Sequence, residues 1–212
     1  MKDFPFFTTQ NGIASLTLKE IPYTKAAYIT IRDTQQPEEL LEECIAFCKM
    51  AGAEEIFASN HSVLEKYPLH TQIIRMSRPR EGLQDTDAAL FPVGEKTVNR
   101  WCEIYNERMR SVPNFSYMSF IARKELLKKG NGYFVHRGET LLGIGIASGE
   151  MIDAVVSVKP GAGETVLLAL NHALSGDRAV LEVASTNEKA IRLYERLGFI
   201  KSGCISQWHR VV

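Results

Sequence analysis

Asn187 and Tyr194 stand seven residues apart in VLEVASTNEKAIRLYERLGF (180–199). That is about two turns of helix, so the two side chains share a face. Ala190 lies between them and leaves room for something to approach. The same residues also have a purely structural reading. Ser185-Thr-Asn-Glu188 fits a capping box, Gly198 is a plausible helix stop, and Tyr194 would then be a buried aromatic. A second pattern is the turn in VSVKPGAGETVLLAL (156–170), which joins a strand to a helix. It lacks the Gly-Lys-Ser/Thr of a P-loop. GIGIASG (143–149) leads into a strand rather than a long helix, so it is no dinucleotide fingerprint. The histidines at 61, 70, 136, 172 and 209 have no paired metal spacing. Cys44, Cys48, Cys102 and Cys204 contain no CxxC pair, so no metal is expected, and all four read as buried, inert thiols.

The stretch 180–199 resembles the GNAT superfamily of acyl-CoA-dependent N-acyltransferases. The resemblance rests on a strand followed by Asn187, Ala190, Leu193-Tyr194 and Gly198-Phe199, and on the order of elements across 88–212. It implies acetyl-CoA as cosubstrate and a primary amine of a small molecule or peptide as acceptor. By resemblance Tyr194 is the acid for the leaving thiolate, and Asn187 and Ala190 bind the cofactor. The strand 153–158, with Val156 and Val158, offers backbone groups to pantetheine. The family's Gly-rich turn, whose amides cradle the pyrophosphate, would fall on Gly161, Ala162, Gly163 and Thr165. Here that turn is about four residues short of the family's. It also lacks the Arg or Gln and carries Glu164 beside the phosphates. A second reading is therefore a binding or structural protein on the same fold, without catalysis.

An ammonium is not a nucleophile, and an amine pKa near 10.4 leaves little free base at neutral pH. A base, or a water chain leading to one, must take a proton before attack on a thioester. Three carboxylates are candidates: Glu150 in a turn, Asp153 at the start of an apolar strand, and Glu182 on a core strand. Glu182 would be costly there unless paired.

These residues need a framework. Strands are expected at 12–18, 25–31, 54–58, 71–76, 88–93, 132–137, 140–147, 151–158, 179–184 and 200–212. Helices are expected at 37–50, 95–111, 116–129, 164–174 and 187–197, with a brief one ending at Tyr67. The fold class is α/β (α+β), a GNAT-like mixed, mostly antiparallel sheet flanked by helices. Residues 77–87 are polar and aperiodic, and suggest a division into 1–82 and 83–212. Sliding the chain by 127 residues places Asn60 on Asn187, Glu55 on Glu182, Tyr67 on Tyr194 and AAYITIR (26–32) on DAVVSVK (153–159). The N-terminal region thus reads as a partial repeat of the C-terminal one, without a counterpart of 88–130 and without a CoA turn.

Composition bounds the rest. The 212 residues carry 25 Lys+Arg against 25 Asp+Glu, with 45% hydrophobic and 24% charged residues. That balance excludes disorder and removes the basic footprint of a nucleic-acid binder. No apolar run reaches the roughly 18 residues of a membrane span. The N-terminal MKDFPFFTTQNG lacks a signal peptide's apolar core. A cytoplasmic protein is expected, and a homodimer is left open.

Overall fold

The computed structural model describes residues 3–212. Met1 and Lys2, the start of the segment read above as no signal peptide, lie outside the described residues. The chain divides into two compact units, one running to Ile73 and resuming at Cys204–Val212, the other Ile74–Gly203.

The first unit opens with β1 (Phe4–Thr9) and β2 (Gly12–Thr17), an antiparallel hairpin closed at Thr9↔Gly12. After the single helical turn α1 (Ile21–Thr24) come β3 (Ala26–Thr34), α2 (Pro37–Met50) and β4 (Glu55–Ser59). Neither β1 nor α1 is in the sequence reading, although Asn11-Gly12 is a strong hairpin signal. Pro37 opens α2 with Glu38 and Glu39 in its first turn and Lys49 in its last, as the helix dipole favours. Leu40, Leu41, Cys44 and Cys48 form its buried face, packed on Ile29 and Ile31. A 3-10 turn (Ser62–Lys66) stands where the repeat would place a helix. The strand β5 (Leu69–Pro79) then crosses the unit boundary.

The second unit continues with β6 (Ala89–Pro92), α3 (Val98–Met109), α4 (Phe120–Lys129), β7 (Gly132–Arg137) and β8 (Thr140–Ser148). Next come β9 (Met151–Ser157), α5 (Gly163–Asn171), β10 (Arg178–Ala184) and α6 (Glu188–Arg196). β11 (Ile200–Arg210) follows, and the second unit boundary falls within it. Strand order is β1-β2-β3-β4-β11 in the first unit and β5-β10-β9-β8-β7-β6 in the second. Trp208–Arg210 pair with Ser59–Phe57, so the end of β11 is covered by β4.

In the second unit α5 and α6 bury one apolar cluster (Val166, Leu170, Ile191, Tyr194) with Leu181 and Val183 of β10. Trp101, Ile104 and Leu126 of α3 and α4 bury another with Ile144, Ala154 and Val156. Gly143 and Gly145 let α5 lie close on β8. A Cβ at Gly143 would meet Val166 of α5 at 2.6 Å, and one at Gly145 would overlap Leu170. No helix among the described residues is long and apolar enough to cross a membrane.

Candidate active site

β9 and β10 run parallel, paired at Val180↔Met151 and Leu181↔Ile152. Both strands continue past that ladder. Between them opens a cleft of about 400 Å³, with Asp153–Ser157 on one wall and Leu181–Ala184 on the other. The reason lies in β9. From Ala147↔Ile152 to Ile146↔Ala154 it advances two residues while β8 advances one, so Asp153 is a β-bulge. A bulge bends its strand and increases the local twist, and here it sits where the parallel ladder ends.

The bulge also resets which backbone groups face the cleft. Val158 N–H donates to Leu142 C=O at 2.8 Å. By strand alternation Ala154 and Val156 also turn their backbone groups to β8, and Val155 and Ser157 turn theirs to the cleft. The N–H groups of Val156 and Val158 thus turn to β8, whereas Val156 still lines the cleft and the Val158 carbonyl accepts from Arg108 Nη2 at 3.5 Å. Val155 and Ser157 present theirs to the cleft instead. Extra residues within a strand leave no mark in hydrophobic alternation, so the sequence could not show this.

α6 forms the cleft's end. Asn187 is its N-cap, with Oδ1 accepting the Ala190 N–H at 3.3 Å. The capping box expected to begin at Ser185 is therefore displaced, and Glu188 opens the helix. Asn187, Ala190 and Tyr194 all line the cleft, joined by Lys189 and, from α3, Arg108. Tyr194 is 8% exposed, and desolvation pushes its phenol up to about 12. It is a neutral donor throughout the physiological range.

The three carboxylates separate. Asp153 lies on the cleft, exposed at its rim. Burial of its surroundings raises its carboxyl above the ordinary range, against the pull of Lys129 and with the help of Glu182. Glu182 also lines the cleft, but its Oε1 accepts from Arg75 Nη2 at 2.7 Å and Nε at 3.3 Å. Glu150 lies outside the cleft, its Oε1 accepting the Arg178 N–H at 3.3 Å.

Nor do Gly161, Ala162, Gly163 and Thr165 line the cleft; they form the turn into α5 and its first residues. Gly161 has φ +79°, a left-handed conformation that glycine adopts without strain. Ala162 is the N-cap and offers no side-chain cap, so the first amides of α5 have no partner from it. Gly163 has no room for a side chain to spare, since its Cβ would stand 3.2 Å from Leu193 of α6. Glu164 lies 3.8 Å from Arg196, a long and solvent-exposed pairing.

By sequence, no family profile and no curated protein matches the chain. Solved structures do match by shape. A functionally unknown conserved protein from Staphylococcus epidermidis aligns with TM-score 0.64 and 12% identity, over 96% of this chain and 91% of that one. A GCN5-related N-acetyltransferase from Sphaerobacter thermophilus aligns with TM-score 0.58 and 11% identity, over 93% and 75%. A tandem GNAT protein from the clavulanic acid biosynthesis pathway aligns with TM-score 0.52 and 12% identity, over 94% and 78%. The chain thus has the fold of the GCN5-related N-acetyltransferases.

Proposed function

We propose that the protein is an N-acetyltransferase that moves an acetyl group from acetyl-CoA to a primary amine. The observation that carries this reading is the cleft between β9 and β10, which brings Asp153, Val155 and Tyr194 to one space. Acetyl-CoA would supply an activated thioester. The residues present suit it: the backbone of Val155 and Ser157 can pair with an extended amide chain, as pantetheine is. The uncapped first turn of α5 suits a pyrophosphate. Glu164 opposes that binding, and Arg196 offsets it in part.

Asp153, with its raised proton affinity, takes the proton from the acceptor ammonium, and the freed amine attacks the thioester carbonyl. The Val155 N–H faces the cleft where that carbonyl oxygen gains charge, an electrostatic contribution that fixed donors make well. Tyr194 gives its proton to the departing thiolate. A phenol at about 12 is a weak acid for a thiol of ordinary pKa near 8.5. The same desolvation raises the proton affinity of a thiolate in the cleft and narrows that gap. As the tetrahedral intermediate collapses, its nitrogen loses a second proton, which restores the Tyr194 phenol through water; the products are an amide and free coenzyme A, with the first amine proton left on Asp153.

Thermal unfolding in the presence of acetyl-CoA tests the reading. Ligand at 100 times its Kd should add about 2.7 kcal/mol, and no shift at millimolar acetyl-CoA overturns it. Tyr194→Phe should then lower turnover by roughly 10²-fold or more while leaving the thermal shift in place. Unchanged turnover would remove Tyr194 from the acid role.

A further inference from the structure

Next to the cleft, the exposed face of the same strands carries a second hollow of about 450 Å³. Arg178 of β10 is its distinctive member. Its Nη2 donates to the hydroxyl of Ser77 at 2.8 Å, and Ser77 is only 6% exposed. The guanidinium is therefore pinned to the wall of the hollow. No carboxylate among the described residues pairs with it. Glu150, which also lines the hollow, accepts the Arg178 backbone N–H instead. Arg75 differs, because its charge is already met by Glu182. Ser202 of β11 adds a hydroxyl, while Met151 and Val180 supply an apolar floor.

We infer that this hollow is an anion subsite: Arg178 holds a carboxylate or phosphate at the far end of the amine acceptor. The inference rests on the acetyl-transfer reading for the amine end. Positions 178, 180 and 182 share one face of β10 by strand alternation. Glu182 lies beside Asp153, one step beyond the Leu181↔Ile152 pair. Four residues of strand span about 13 Å, and the reach of the Arg178 side chain shortens that. The acceptor so defined has a primary amine at Asp153 and an aliphatic spacer over Val180 and Met151. Its anionic group lies at Arg178. A pinned guanidinium matches the planar fork of a carboxylate or the oxygens of a phosphate, which an ammonium would not do as well.

Calorimetry with two matched pairs of amines tests this, with and without coenzyme A. ε-Aminocaproate is compared with hexylamine, and aminohexyl phosphate with aminohexanol. In at least one pair the anionic member should bind about tenfold more tightly or better, a difference expected of a charge-assisted pair. The pair that shows it identifies carboxylate or phosphate. Arg178→Gln should bring the two members to within about twofold, and Arg178→Lys should keep part of the preference, since the charge remains. Both variants should unfold at the wild-type temperature, because Arg178 is exposed. Equal binding within both pairs, no binding by any of the four, or a preference that survives Arg178→Gln overturns the subsite. An Arg178-dependent preference without an acetyl-CoA thermal shift would keep the subsite and overturn acetyl transfer. The reverse pattern would overturn the subsite alone.

Discussion

Asp153 carries two consequences at the residue scale. Its carboxyl titrates higher in the folded protein than in the unfolded chain, so the native state binds the proton more readily. The stability this confers is complete below the unfolded value near 3.9 and is lost as pH rises through the folded one. Asp153→Asn removes that loss. The variant's Tm should rise relative to wild type as pH is taken from about 3 to about 6, and acetyl transfer should fall sharply at every pH. A Tm difference flat with pH would mean that Asp153 is an ordinary surface carboxylate. The thiols divide just as clearly. Burial pushes Cys44 to about 12 and Cys48 to about 11, and raises Cys102 as well, whereas Cys204 is exposed. The expectation of four buried thiols therefore fails at Cys204. A disulfide reagent should modify one thiol rapidly in the native protein and four after denaturation. Rapid loss of more than one would contradict the packing around α2 and α3. At this scale the sequence was legible where spacing set two residues on one helix face, as for Asn187 and Tyr194, which both line the cleft. It was illegible for Val155 and Ser157, whose backbone direction depends on the bulge at Asp153.

Among elements, α5 and β8 make the tightest demand. Gly143 and Gly145 stand under the helix, and a methyl group at either would run into its side chains or into the carbonyls of β9. Gly145→Ala should lower stability by about 1–3 kcal/mol, the usual effect of overpacking. Urea unfolding would read this as a lower midpoint with an unchanged slope; an unchanged midpoint would mean that α5 can slide outward. Most elements were visible from periodicity, because α2, α3 and α6 each set an apolar stripe against a polar face. The hairpin partner β1 escaped because Pro5 and the exposed Phe6 break its alternation. The polar run after Ser77 looked like a break, yet β5 continues through it to Pro79 and Arg80 returns to the chain at Asp177 O, Gly176 O and Asn171 O. Those bonds join residues far apart in sequence, which no local pattern records.

Across the whole molecule Glu55 and Glu182, which the 127-residue offset superposes, each meet an arginine, though the two arginines do not correspond in that frame. Glu55 meets Arg210 at 2.9 Å much as Glu182 meets Arg75 at 2.7 Å. Yet β3 and β4 stay paired from Ala26↔Glu55 to Thr30↔Ser59, and the rings of Tyr28 and Phe57 stack over that ladder at 5.5 Å. At the corresponding place β9 and β10 have already parted. The difference gives each strand pair its own clock for amide-proton exchange. Val155 and Ser157 should exchange quickly in the free protein and slow by about tenfold or more once an acyl-CoA saturates the cleft. Amides along Ala27–Thr30, locked in an unbroken ladder, should keep their rates and calibrate the measurement within the same chain. Slowing of both sets together would report general stiffening rather than occupancy. A strand that ends its pairing early is thus also a reporter, able to register a ligand before any product has been formed.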